Sequence, residues 1–194
     1  MGVAGAAVEV LGRGWFRIPG AIEPSICRSM QRPAEAPWRE LAPQVGQVRM
    51  SGWYHQPADS ELSADVRQLS KDLTEPLQHE FGDHSAIPEF NEISWQRHVS
   101  AERAVDVHRD QTVYIGVIAV LTLVGTAQFR VFDGRAGSVV DSWRTLPGDL
   151  VLLRGAGLGH PNARCPWHSV AAPTVGERQT LTLRHSTRGA GWWE

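Results

Sequence analysis

The sequence predicts an α+β domain in which helices come first and a β-rich core follows. Before about residue 88 the apolar residues show helical spacing, whereas later residues form short β-branched and aromatic runs separated by Gly, Pro and Asp. The 194 residues fit one domain over 1–194, with a strand/helix region at 1–88 and a core at 89–188. Six or seven short strands after the helices favour a sandwich or a jelly roll.

The N-terminal region predicts one strand and two helices. GWFRIPGAI alternates apolar and polar residues and ends in Pro-Gly, which indicates a short strand near 14–18. The tripeptide EPS at 23–25 predicts a helix start, because proline is favoured in the first turn. The stretch 57–83 predicts an amphipathic helix, interrupted near Pro76, with its acidic side towards solvent. Its apolar positions are Leu62, Val66, Leu69, Leu73 and Leu77.

The later segments that predict strands are 89–99, 112–125, 126–134, 138–146, 149–155, 167–173 and 178–186. They are short and rich in residues that favour a pleated, half-buried surface. Turns are expected at GT, DGRAG and PGD, which occupy 125–126, 133–137 and 147–149.

Composition narrows the class of protein. A net charge of −2, a pI of about 6.4 and an acidic stretch at 59–92 argue against a nucleic-acid groove. We find no signal peptide and no apolar run of membrane-spanning length. Cys27 and Cys165 are expected to be reduced thiols, which favours a cytoplasmic protein. Cys165 fits a small buried residue better than a catalytic thiol.

The eight tryptophans suggest packing roles. Those expected in the core are Trp15, Trp38, Trp95 and Trp143. For Trp53 and Tyr54 two roles are open, an aromatic lid over an active site or ordinary packing in the domain. Trp192 and Trp193 are expected to dock on the domain or on a second subunit, so a homodimer is one predicted assembly.

The segment VDVHRDQTVY at 105–114 contains two metal-ligand types two residues apart. In an extended segment, His108 and Asp110 leave the same face and can bind one ion. His168 and His160 compete to be the third ligand. We prefer His168, because it begins a strand-like stretch that would hold its direction. Two histidines and one carboxylate suit non-haem Fe(II), although zinc accepts the same ligands.

The stretch ERQTLTLRHS carries two arginines on one predicted face. Arg178 and Arg184 are six residues apart, so on one strand they share a face with Thr180 and Thr182, while the leucines between them point away. Burying such a row requires anions that pair with the guanidinium groups. A dicarboxylate meets that need.

The ordered set HRD, PGDLVLL, WHSV and ERQTLTLRHS resembles the Fe(II)/2-oxoglutarate-dependent dioxygenase superfamily. The resemblance covers roughly 89–188 and implies a double-stranded β-helix, or jelly-roll, core with N-terminal helices packed outside. The arginine spacing further resembles the AlkB-like branch. The Asn-x-Tyr that this branch usually carries near H-x-D is absent, which argues against nucleic acid more than against the chemistry.

The resemblance also implies roles for residues. His108, Asp110 and His168 would hold iron. Arg178 would bind the distal carboxylate of 2-oxoglutarate, and Arg184 would lie near its other end or near the substrate. A polar contact to the cosubstrate from neighbouring strands is also implied. Of the available candidates Asn91, Gln96, Arg97 and Tyr114, we rank Gln96 and Tyr114 first.

The implied activity is oxidation, most simply hydroxylation, of a small organic molecule, with Fe(II), 2-oxoglutarate and O2 consumed and succinate and CO2 released. Because Asp110 occupies the ligand position, halogenation is not favoured. One alternative is an AlkB-like demethylase of nucleic acid or a modified base. Another is a non-catalytic jelly-roll module that binds a metal. The sequence does not name the substrate.

Overall fold

The computed structural model describes residues 2–45, 48–82, 87–99 and 105–189. Trp192 and Trp193 lie outside these residues, so the predicted docking of the terminus stays a prediction. The helices are α1 (Ala6–Gly12), α2 (Pro24–Ser29) and α3 (Ala64–Phe81). The strands are β1 (Trp15–Ile18), β2 (Arg39–Glu40), β3 (Gln44–Val45), β4 (Val48–Arg49), β5 (Trp53–His55), β6 (Glu92–Val99), β7 (Val105–His108), β8 (Tyr114–Val124), β9 (Ala127–Phe132), β10 (Val139–Thr145), β11 (Leu150–Arg154), β12 (Trp167–Val170) and β13 (Glu177–Ser186).

Two facing sheets form the β-rich core. The large sheet has the order β1-β11-β8-β13-β6-β5-β2, and the small sheet has the order β10-β9-β12-β7. All paired strands are antiparallel, and the chain crosses repeatedly between the sheets from β6 to β13. This is the double-sheet arrangement of a jelly roll, so the predicted core is confirmed.

The large sheet separates two hydrophobic clusters. Its outer face, which includes Leu181 and Leu183 of β13, shares one cluster with buried residues of all three helices. Its inner face meets the small sheet in a second cluster that includes Ile118, Phe129 and Leu153. Period-two alternation therefore sends neighbouring side chains of one strand into different environments. The site described below lies on the inner side.

The helices differ in part from the prediction. α3 begins at Ala64, because the Ser63 hydroxyl caps it by accepting from the backbone N–H of Val66, and residues 59–61 form a 3₁₀ turn instead. The predicted interruption at Pro76 is wrong. α3 continues to Phe81, since the fully buried Leu77 and Phe81 pack beyond the proline and offset its lost hydrogen bond.

α1 was not predicted. Its run of alanine and valine is too short to distinguish helix from strand by spacing, and only contact with α3 and β1 defines it. The short strands β2 to β5 were not predicted from the sequence either. No helix in the described part of the chain is long and apolar enough to cross a membrane. Both cysteines are buried and free.

We predict that Leu181→Ala lowers the free energy of unfolding by about 2–5 kcal/mol, because it leaves a cavity at a fully buried position. The half-exposed Val139→Ala on β10 serves as control and should change stability by less than about 0.5 kcal/mol. Urea unfolding followed by circular dichroism measures both. Equal losses in the two variants would contradict the assignment of Leu181 to the core.

Candidate active site

Three predicted ligands come together at one end of the two sheets. His108 ends β7, Asp110 follows two residues later in the connecting loop, and His168 lies on β12 directly opposite His108. One ligand atom from each residue lies within 4.8 Å of the others. The competing His160 is exposed in the loop after β11, where its Nδ1 accepts a hydrogen bond from the backbone N–H of Asn162.

Backbone carbonyls orient both imidazole rings. Nδ1 of His108 lies 2.9 Å from the carbonyl oxygen of Asp106, and Nδ1 of His168 lies 3.0 Å from that of Pro166. A carbonyl only accepts, so each Nδ1 carries the proton and each Nε2 keeps its lone pair. Such outer contacts are the usual way in which a protein fixes a metal-binding tautomer.

The charge states of this trio also suit a cation. Burial lowers the pKa of His168 to about 4, so its imidazole is neutral at pH 7. Burial opposes ionisation of Asp110, but His168, His108 and the Arg184 guanidinium outweigh it and hold the pKa of Asp110 below its usual value. A neutral imidazole and a carboxylate are the forms that bind metals.

Cys165 adds a further contact to this group. Its buried Sγ lies 3.5 Å from Oδ2 of Asp110 and 4.0 Å from Nδ1 of His168. Burial and the Asp110 carboxylate raise the pKa of the thiol well above its usual value. A protonated thiol that donates to a carboxylate is a weak nucleophile, which agrees with a packing role.

The inner face of β13 carries the predicted polar row. Arg178 and Arg184 lie opposite His98 and Glu92 of β6, and the leucines of β13 lie on the outer face. Thr180 lies opposite Gln96 of β6 and Thr122 of β8. The alternation read from ERQTLTLRHS is therefore present, and the two arginines mark the two ends of the row.

Arg178 is a buried cation with no carboxylate partner among the described residues. Its Nη2 lies 3.5 Å from the hydroxyl of Thr122, and its Nε has no hydrogen-bond partner. Among the described residues, no carboxylate lies within 4 Å of its nitrogen atoms. The buried hydroxyl of Thr180 is likewise without a partner. Burial lowers the pKa of Arg178 to about 10, so the group is still charged at neutral pH.

Arg184 has a different environment. Its Nη2 lies 2.6 Å from Oε1 of Glu92, a distance that makes an ion pair although the alignment is poor for a hydrogen bond. The same nitrogen lies 3.3 Å from the hydroxyl of Ser94, and Nη1 lies 3.7 Å from Oδ1 of Asp110. The guanidinium also stacks 4.2 Å from the ring centre of Tyr114.

The two candidate cosubstrate contacts lie apart. Gln96 is near Arg178, because it lies two residues before His98, the residue of β6 opposite Arg178. Tyr114 instead contacts Arg184 near Glu92, roughly 13 Å away by strand rise. Tyr54 of β5 faces the same interior as Gln96, whereas its neighbour Trp53 points outward and stacks on Arg97. A lid role could therefore involve only Tyr54.

Sequence reasoning missed two buried residues of β6. Glu92 and His98 are 0% and 1% exposed, and both point inward towards the arginines of β13. The signal was available, because alternation in EISWQRHV places both residues on the face of Gln96. Gly52 approaches His98 so closely, at φ 119°, that a Cβ there would lie 2.7 Å from Nδ1.

No protein-family profile and no curated protein sequence matches this chain. Among solved structures, a Pseudomonas putida prolyl-4-hydroxylase is similar with a TM-score of 0.70 and 17% identity, covering 93% of this chain and 97% of that one. An oxidoreductase of the 2OG-Fe(II) oxygenase family from Burkholderia pseudomallei has a TM-score of 0.63 and 17% identity, covering 98% and 93%.

A third similar structure is HygX from Streptomyces hygroscopicus, solved with nickel and 2-oxoglutarate bound. Its TM-score is 0.59 at 14% identity, over 98% of this chain and 90% of HygX. The structural similarity shows that the chain shares the jelly-roll fold of these proteins. At identities this low, the similarity shows the fold alone. They leave the branch, including the AlkB-like branch, as a prediction.

We predict that His98 makes the protein less stable in acid. Burial and the nearby Arg178 lower the pKa of His98 to about 4, whereas in the unfolded chain it is about 6.5. Between these pKa values the unfolded state binds more protons than the folded state. The free energy of unfolding therefore decreases by up to about 1.4 kcal/mol for each unit by which the pH is lowered.

His98→Gln should make the free energy of unfolding less dependent on pH between pH 6.5 and pH 4, because up to one fewer proton is taken up on unfolding. Denaturant unfolding at several pH values measures this dependence. The glutamine amide can still donate to the Ser51 carbonyl that now accepts from Nδ1 at 2.8 Å. The exposed His79→Gln on α3 is the matched control. An unchanged pH dependence of the unfolding free energy in His98→Gln would show that His98 already binds its proton in the folded state, at the same pH as in the unfolded chain.

Proposed function

We propose that this protein is a non-haem Fe(II)/2-oxoglutarate-dependent dioxygenase that oxidises, most simply hydroxylates, a small organic substrate and releases succinate and CO2. One observation carries the proposal. The trio His108, Asp110 and His168 faces the interior between the sheets. The same interior contains buried Arg178, which has no carboxylate partner among the described residues, and Thr180, whose hydroxyl has no hydrogen-bond partner among them. A structural metal site would need no buried guanidinium without a carboxylate partner in the same interior.

The metal-binding part of the proposal rests on the donor set. Two imidazole Nε2 atoms and one carboxylate leave coordination positions open, which suits Fe(II) in oxygenases. In this role His108, Asp110 and His168 hold the ion, and the carbonyls of Asp106 and Pro166 keep the rings aligned. The bound iron would supply oxygen activation and the oxidation of a substrate C–H bond.

The cosubstrate part rests on unmet hydrogen-bonding needs. A buried donor without a partner costs about 1–3 kcal/mol, and a charged donor costs more. We infer that a carboxylate of 2-oxoglutarate satisfies Arg178 and the hydroxyl of Thr180 together, with Gln96 beside them. Charge-assisted bonds from a desolvated guanidinium are strong, which explains why the cation is kept in this position.

The proposed substrate is a small molecule rather than nucleic acid. The net charge of −2 and the acidic stretch at 59–92 give little attraction for phosphate backbones. The similar structures include prolyl hydroxylases, so peptidyl proline belongs in a substrate screen beside free organic compounds.

We predict that anaerobic addition of Fe(II) and 2-oxoglutarate to the apo-protein produces the visible charge-transfer band of a metal-bound 2-oxo acid. His108→Ala should abolish the band, because it removes a ligand. Arg178→Ala should weaken 2-oxoglutarate binding by at least roughly tenfold, because it removes the buried countercharge. The exposed Arg130→Ala on β9 is the control for a lost arginine.

The variants separate the alternatives. A band in the native protein and in Arg130→Ala, lost or weakened in the other two variants, supports the dioxygenase. Metal binding without a 2-oxoglutarate response would favour a non-catalytic metal-binding module. Absence of both would refute the proposed function.

We predict that Thr180→Val weakens 2-oxoglutarate binding by roughly 2- to 10-fold while the ligand-free protein becomes no less stable. Among the described residues the hydroxyl of Thr180 has no hydrogen-bond partner, so its removal relieves an unmet donor. Thr145→Val is the matched control, because the equally buried Thr145 hydroxyl donates to the carbonyl of Ala127. It should lower stability and leave 2-oxoglutarate affinity unchanged, as measured by thermal melting and calorimetric titration.

A further inference from the structure

Glu92 is a buried carboxylate for which the proposed reaction has no direct use. It lies on the inner face of β6, it is 0% exposed, and its ion-pair partner is Arg184. Burying a carboxylate is costly unless a specific partner offsets the loss of water. Because burying the Glu92 carboxylate costs free energy, we looked for a role of Glu92 beyond packing.

Arg184 connects Glu92 to the metal-binding trio. One nitrogen of its guanidinium contacts Glu92 at 2.6 Å, and the other lies 3.7 Å from Oδ1 of Asp110. Tyr114 stacks against the guanidinium and Ser94 holds Nη2, so the side chain is confined from three sides. Meanwhile Oδ2 of Asp110 faces Nε2 of His168 at 3.6 Å. Each oxygen of Asp110 therefore has a polar neighbour, Nη1 of Arg184 at Oδ1 and Nε2 of His168 at Oδ2.

An isolated Arg184 would oppose metal binding. Its positive charge would repel a divalent cation, and its guanidinium fork would compete for both oxygens of Asp110. Glu92 neutralises that charge and holds Nη2, so that Arg184 makes only a longer contact with Oδ1. With Glu92 present, the side chains of Glu92, Arg184 and Asp110 carry a formal net charge of −1. Without the charge of Glu92, their formal net charge is zero.

From this geometry we propose that Glu92 is a positioning residue for the metal site. Glu92 balances the charge of Arg184 and restrains its guanidinium, so that Asp110 remains available as a ligand. This inference rests on the metal site of the proposed function and pairs the charge of Arg184 with Glu92 rather than with a bound anion. The anion-binding role then belongs to Arg178, which lacks a carboxylate partner within 4 Å among the described residues.

The test uses Co(II) alone, with the full chain and without 2-oxoglutarate or turnover. Affinity is measured by calorimetric titration, and the visible spectrum of Co(II) reports its coordination. Glu92→Gln keeps the shape and removes the charge, and we expect it to weaken binding by roughly 10- to 100-fold. Glu92→Asp keeps the charge and changes the shape, and it should stay within about threefold of the native protein.

The double variant Glu92→Gln/Arg184→Gln supplies the sharpest comparison. It removes both charges and restores the net charge of −1, so Co(II) affinity should return to within about threefold of the native value, with a native-like spectrum. A merely structural ion pair predicts the reverse, since the double variant would lose as much as Glu92→Gln. If Glu92→Gln does not fold, Glu92→Asp and the double variant still decide between charge and shape.

The outcomes distinguish this inference from the proposed function. If the native protein does not bind Co(II), the metal site itself is refuted. If the native protein binds Co(II) and Glu92→Gln binds it equally well, only the positioning role is overturned. A double variant as weak as Glu92→Gln, or a Glu92→Asp variant weaker than Glu92→Gln, overturns it as well.

Discussion

The site depends on how β13 divides its side chains between two environments. β13 lies at the centre of the large sheet, paired with β8 on one edge and β6 on the other. Its outward leucines join the helices in one apolar cluster, and its inward side chains face the small sheet. Because alternate residues of a strand must point to opposite faces, packing the leucines forces Arg178 and Arg184 into the interior.

The two arginines solve the resulting charge problem in different ways. Arg184 meets Glu92 and Asp110, so its charge is offset within the protein. Arg178 has no carboxylate within 4 Å among the described residues, and burial lowers its pKa to about 10. The same residue type on the same face thus contacts Asp110 at one end and has no carboxylate partner among the described residues at the other.

Some buried polar groups on the inner face of the large sheet lack a hydrogen-bond partner among the described residues. They include Nε of Arg178 and the hydroxyl of Thr180, whereas the carboxylate of Glu92 is paired with Arg184. The outer face of this sheet packs against the helices in an apolar cluster. Under the proposed function, ligand binding would relieve these local costs, which a well-packed domain tolerates.

Local pattern in the sequence determined the strands of the core, the alternation along β13 and the choice of His168 over His160, because all three depend on spacing and strand direction. Tertiary structure decided that α3 passes through Pro76, that Asp110 meets the histidines from a loop, and that Glu92 rather than a ligand pairs with Arg184. A period of two assigns a side chain to a face of a sheet. It carries no information on which charge lies opposite, since that partner comes from a strand distant in sequence.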